Sequence, residues 1–257
     1  MTADLVAKAQ ALRALHVPGD PLVLPNAWDA ASAKVVVDAG FPAIATTSLG
    51  VAESLGYGDG HKTPPDEMFA AIARIARVVS VPVTADIERG YELEPKEIVK
   101  RLVEAGAVGC NLEDTEPRTK ELIDIDEQAD FLRGVRSAAS DAAVPIVINA
   151  RIDVHLREVG GEASRTPAAI ERAMRYLEAG ADCVYPAFLT DVDEVRKIVD
   201  AVQGAVNVTL LPGTSLASFT SAGVARISLG GGLQKASTAW LSSMVGKIAS
   251  GQDPYAR

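Results

Sequence analysis

The fold this sequence predicts is a (βα)8 TIM barrel with one extra N-terminal helix, an α/β architecture in which residues 1–257 form a single domain. Three observations predict it. An Ala-Gly pair closes a helical pattern and opens an apolar run four times, at Ala39-Gly40, Ala105-Gly106, Ala179-Gly180 and Ala222-Gly223, and glycine suits the left-handed position just past a helix. Between these come runs introduced by Pro21, Pro82 and Pro145, and a fourth without proline at 206–211, so that eight strands alternate with helical patterns. Runs such as Ile146-Val147-Ile148 are continuously apolar, as parallel strands covered on both faces require. A doubly wound open sheet fits less well, because the sequence has eight units and no early Gly-x-Gly-x-x-Gly.

Taken in order, residues 5–15 read as an amphipathic helix ahead of the first strand. Strands are expected near 22–26, 43–47, 83–86, 108–112, 146–150, 183–186, 206–211 and 226–229. Helical patterns at 127–137 and 167–177 cover the middle of the barrel, and a closing helix spans about 235–248. Trp28, just after the first strand, is expected to pack a helix against the barrel, and the glycines at 230–232 to make a tight turn into the last helix.

Hydrophobic residues make up 48% and charged residues 23% of the chain, enough apolar material for a large core and too much for a disordered chain. A net charge of −9 excludes general attraction to nucleic acid or to an anionic membrane. The first nineteen residues carry Asp4 and Lys8 and no continuous apolar run, so no leader or anchor is expected and the location is read as cytoplasmic. Cys110 and Cys183 lack close-spaced partners and read as buried thiols.

In such a barrel the active site forms at the carboxyl ends of the strands, and here those ends are acidic. The third strand ends in Thr84-Ala85-Asp86-Ile87-Glu88, the fourth in Asn111-Leu112-Glu113-Asp114, and the loop after the second carries Gly56-Tyr57-Gly58-Asp59-Gly60. Carboxylates crowded on adjacent strands repel unless a cation or protons intervene, and hard oxygen ligands suit Mg²⁺. Asp86 and Glu113 are therefore the expected metal residues, with Asp59, Glu88 and Asp114 acting on its waters. Arg151, at the end of the fifth strand, is placed to grip a substrate carboxylate with two parallel hydrogen bonds. The plainer reading pairs these acids with Arg89, Arg118 and Arg151 at the rim. No strand end carries a lysine for imine chemistry, Gly-x-Ser-x-Gly is missing, and His16, His61 and His155 lie near no plausible nucleophile.

The segments Leu24-Pro25-Asn26-Ala27-Trp28-Asp29, Ala45-Thr46-Thr47-Ser48-Leu49-Gly50, 83–91, Gly109-Cys110-Asn111-Leu112-Glu113-Asp114 and Asn149-Ala150-Arg151 together resemble the isocitrate lyase/phosphoenolpyruvate mutase superfamily, particularly its short bacterial members. The resemblance spans nearly the whole chain. It implies a Mg²⁺-dependent lyase that cleaves a C–C bond of a small 2-oxo or 2-hydroxy carboxylic acid through an enolate-like species. The alternatives it leaves are P–C chemistry on a phosphonopyruvate-like substrate, or a non-catalytic 2-oxo acid binding protein. By position it implies metal contacts at Asp86 and Glu113, an acid on the metal's water shell at Asp59, carboxylate binding at Thr47, Ser48, Leu49 and Arg151, and a homotetramer, sometimes with the last helix exchanged. The chain departs from the lyases after the fourth strand. Where they carry Lys-Lys-Cys-Gly-His, it reads Thr115-Glu116-Pro117-Arg118-Thr119-Lys120-Glu121, leaving Arg118 and Lys120 as the cationic groups of a lid.

Overall fold

The computed structural model describes residues 2–256. Its elements run α1 (Thr2–Ala14), β1 (Leu22–Leu24), β2 (Asn26–Ala27), α2 (Ala30–Asp38), β3 (Ile44–Thr46), α3 (Ser48–Ser54), α4 (Pro65–Arg77), β4 (Val83–Asp86), α5 (Pro95–Ala105) and β5 (Gly109–Glu113). They continue with α6 (Ile125–Asp141), β6 (Val147–Ile152), α7 (Glu162–Glu178), β7 (Cys183–Pro186), α8 (Val192–Ala201), β8 (Ala205–Thr209), α9 (Leu216–Ser221), β9 (Arg226–Ser228) and α10 (Gly232–Ala249). All strand pairings are parallel, in the order β1-β9-β8-β7-β6-β5-β4-β3-β2.

The expected barrel is present, with one refinement. The first strand is split at Pro25, which has no N–H to give to a ladder. Its first half, β1, pairs with β9 and its second half, β2, with β3, so the two halves of one stave bring the ends of the sheet together. The sequence also missed the two helices that follow β3, and α7 starts at Glu162 and carries Pro167 inside it. The glycines of the repeated Ala-Gly phrase all adopt positive φ, from 81° at Gly106 to 100° at Gly180, the geometry that lets each helix turn sharply into its strand.

The core is an apolar shell between the outward faces of the strands and the surrounding helices. Cys110, Leu112, Ile148 and Ala150 meet Leu102, Leu132, Val135 and Ala173 there. Both cysteines are buried and unpaired, as expected, and Trp28 is half-buried against this core. Strand side chains alternate between faces, so the barrel interior collects the others: Thr84, Asn111, Asn149, Asn207, Arg226 and Ser228 are all buried and polar or charged. No helix among the described residues is long and apolar enough to cross a membrane. One helix stands apart: of the residues in α10 only Gln234 is buried, while Trp240, Leu241, Val245 and Ile248 are exposed.

Candidate active site

Asp86 is the last residue of β4 and sits at the barrel mouth. Its Oδ2 accepts from the backbone N–H of Ser48 at 3.0 Å and from Ser48 Oγ at 2.8 Å, and its own N–H donates to Thr46 Oγ1 at 2.9 Å. These contacts exist because Thr47 caps α3 with its side chain, which presents the first N–H of that helix to the neighbouring strand tip. The other carboxylate oxygen, Oδ1, is buried with no hydrogen-bond partner, a costly state for an acceptor unless something fills it.

Glu113 and Arg151 are register partners on β5 and β6, and they form an ion pair at 2.7 Å. Arg151 is further held by Asp153, Nε to Oδ1 at 2.6 Å and Nη2 to Oδ2 at 3.1 Å, and Thr115 Oγ1 donates to the same carboxylate at 2.6 Å. Burial works against the charge of Arg151, but Glu113 and Asp153 outweigh it and hold its pKa above the ordinary value. Burial pushes the Glu113 carboxyl up, reinforced by Asp153, Asp86 and Glu88, with Arg151 pulling the other way.

Glu113, expected beside the ion, pairs through one oxygen with Arg151, while Asp86 presents a buried carboxylate oxygen without a partner. Among the described residues no three His, Cys, Asp or Glu side chains are grouped to hold a metal ion. An unpartnered carboxylate oxygen fits Mg²⁺, which keeps much of its water and takes one or two protein carboxylates. Asp114, expected to act on the metal's waters, turns to the other side of β5. There it accepts from Tyr176 (2.8 Å), Arg172 (3.0 Å) and the N–H of Asp153 (2.8 Å), bracing the strand ends against α7.

The model of the phosphoenolpyruvate phosphomutase family matches residues 12–249. The chain belongs to this family. Its relatives include 2-methylisocitrate lyase of Escherichia coli, 31% identical, with 83% of this chain and 74% of that one covered. Among solved structures, a Burkholderia cenocepacia protein superposes with a TM-score of 0.89 at 39% identity, covering 93% of this chain and 99% of its own. A 2,3-dimethylmalate lyase of the PEP mutase/isocitrate lyase superfamily superposes at 0.83 with 26% identity, covering 97% and 90%. The superfamily resemblance read from the strand tips and the TIM-barrel fold are thereby borne out, and the named relatives are lyases and mutases.

In this family member three loops meet over the mouth. Glu88, after β4, accepts from the backbone N–H of His61 at 2.6 Å and from Tyr91 Oη at 3.2 Å, and the N–H of Arg89 donates to His61 Nε2 at 3.1 Å. Lys120, after β5, brings its Nζ against Gly60, so closely that a Cβ there would lie 2.8 Å from it. Burial, then the charges of Lys120 and Arg89, lower the His61 pKa to about 4, so its ring is neutral and accepts at Nε2. Non-glycine residues with positive φ gather in these loops, at His61, Glu88, Tyr91, Glu92 and Lys120, a backbone cost that the interlocked contacts offset. From sequence, His61 is named only as lying near no plausible nucleophile and Tyr91 has no role of its own; the structure brings both against Glu88. Asp59 acts on Glu88 through its charge. Ser48 serves Asp86, Thr47 caps α3, and Leu49 packs under Gly231 in the turn before α10. The expected pairing of Arg89 and Arg118 with the site acids is not what forms: they bind Glu127 and Glu116.

Burial, then Asp59, pushes the Glu88 carboxyl up from 4.5 to about 7. The folded protein therefore keeps this proton over a range in which the unfolded chain has released it, so folding stability falls as pH rises from 4.5 to about 7. Glu88→Gln removes that titration. Relative to wild type, the variant should gain up to about 3 kcal/mol across that interval, read by urea denaturation at a series of pH values. A difference independent of pH would show that Glu88 ionises normally.

Proposed function

We propose that this protein is a Mg²⁺-dependent lyase that cleaves a C–C bond of a small 2-oxo or 2-hydroxy carboxylic acid. The observation that carries the reading is Asp86, with one oxygen fixed by Ser48 and the other buried and unpartnered, beside a guanidinium at a mouth rich in acids. When bound there, Mg²⁺ supplies a positive charge where an enolate oxygen develops its negative one. Asp86 would hold the ion, and Ser48 fixes the carboxylate that does so. Arg151 orients a substrate carboxylate, exchanging its contact with Glu113 for one with the ligand while Asp153 keeps the guanidinium plane. Glu88, ionising near neutrality, holds or releases a proton at its carboxyl. The loops carrying His61, Glu88 and Lys120 exclude water from the mouth.

The family model, that of a phosphomutase, favours a second reading in which a P–C bond is moved or broken. A panel of 2-oxo, 2-hydroxy and phosphono acids, run with Mg²⁺ and with EDTA while pyruvate, phosphate and CO₂ are followed, separates the two. Metal-dependent pyruvate or CO₂ release from a carboxylic acid supports the lyase. Phosphate release or phosphonate isomerisation supports the second reading, and ligand binding without turnover overturns both.

The exposed apolar residues of α10 support the further proposal that the protein is a homo-oligomer, a tetramer in the family pattern, with this helix docked on a neighbouring subunit. Trp240→Glu with Leu241→Glu should shift the species in analytical ultracentrifugation toward monomer. An unchanged sedimentation coefficient would remove α10 from the interface.

A further inference from the structure

Arg226 lies on β9 with its side chain inside the barrel and no exposure to solvent. Its Nε donates to Ser228 Oγ at 3.2 Å and its Nη2 to Asn111 Oδ1 at 3.3 Å, while Nη1 has no partner. No carboxylate of the described residues lies within 4.0 Å of it. A guanidinium does not shed its proton in a protein, so this is a permanent and unpaired internal charge. Such a charge is expensive to bury.

Its position gives the expense a purpose. The guanidinium is tied into a polar floor that crosses the barrel: Asn149 Nδ2 donates to the same Asn111 Oδ1 at 2.8 Å, and Ser228 Oγ donates to Asn207 Oδ1 at 3.1 Å. Asn111 is the register partner of Asp86 on the adjacent strand, so the floor lies directly beneath the mouth. Asp86 is near enough for its charge to act on Arg226. Above the floor stand Asp86, Glu88, Glu113 and Asp153, and of these only Glu113 and Asp153 have an arginine within ion-pair distance, the same Arg151.

We propose that Arg226 is a positioning residue that sets the electrostatic balance of the mouth from below, weakening the hold on a bare divalent cation and strengthening the hold on an anionic ligand. In a water-poor interior its field reaches the mouth without contact. Binding of cation and anion is thereby coupled: the ion is held well only when the ligand's negative charge accompanies it. The inference rests on the magnesium reading above, and the test separates the two.

The experiment is calorimetric titration of the full chain with Mg²⁺ alone, and with oxalate at saturating Mg²⁺, for wild type, Arg226→Met and Arg226→Lys. Arg226→Met should bind Mg²⁺ alone about tenfold more tightly and oxalate about tenfold more weakly, and Arg226→Lys, which keeps the charge, should stay near wild type in both. A merely structural arginine would give losses of both affinities together in Met and in Lys. That pattern, or no change in either affinity, overturns the proposal. Should Arg226→Met fail to fold, Ser228→Asp places a carboxylate beside Nε and neutralises the charge in place. It should move the two affinities in the same opposite directions, and affinities left at the wild-type values would overturn the proposal as well. Wild-type protein that binds no Mg²⁺ would overturn the magnesium reading; metal-free oxalate titration of Arg226→Met then decides the role of Arg226, an unchanged affinity refuting it.

Discussion

Asp86→Ala is expected to lower Mg²⁺-dependent binding of oxalate or pyruvate by more than about a hundredfold and to abolish turnover, while the chain still folds. The substitution removes the buried, unpartnered carboxylate oxygen of Asp86 and takes no packing from the apolar shell. It also leaves the Ser48 N–H and hydroxyl without their acceptor, which should cost about 1–2 kcal/mol and a fall in melting temperature of only a few degrees. Calorimetry with and without Mg²⁺ and a thermal melt read the two effects separately. Unchanged turnover would remove Asp86 from the chemistry, and a collapsed melt would show that its role is structural.

Arg151→Lys should weaken carboxylate binding by about ten- to a hundredfold, because a single ammonium cannot reproduce a planar two-pronged contact. The structure adds a second consequence. Arg151 serves Glu113 and Asp153 at once, and a lysine cannot reach both, so one buried carboxylate loses its counter-charge. The expected loss is about 2–3 kcal/mol of folding stability, less than the full cost of stranding a buried charge because Thr115 still donates to Asp153 and burial already pushes the Glu113 carboxyl toward its neutral form. Oxalate affinity that stays at the wild-type value would exclude Arg151 from ligand binding, whatever the stability shows.

Most strands were legible in the sequence because they are announced locally by a proline or an Ala-Gly corner and an apolar run, and the third and fourth end in acids. That placed Asp86 at the barrel mouth without knowledge of any partner. The neighbouring pair Glu113 and Asp114 was harder. Both end the same strand, but consecutive residues face opposite sides, so Glu113 turns to Arg151 and Asp114 to Arg172 and Tyr176 on α7. Arg226 left a signal that went unused, a single charge in the apolar run Val224-Ala225-Arg226-Ile227. His61 was noticed as a histidine but its role was not legible, since its backbone N–H and not its ring donates to Glu88, and any non-proline residue supplies that donor.

The sequence by itself determined the alternation of strands and helices apart from the two helices after β3, the end of the barrel that carries polar groups, and the identity of most of those groups, because periodicity and turn chemistry act between residues close in the chain. The tertiary structure alone decided which charges meet. Glu113 reaches Arg151, Ser48 reaches Asp86 and Arg226 reaches Asn111 through strand register and barrel closure. Those are set by packing between segments far apart in sequence, and they leave the Asp86 Oδ1 buried without a partner.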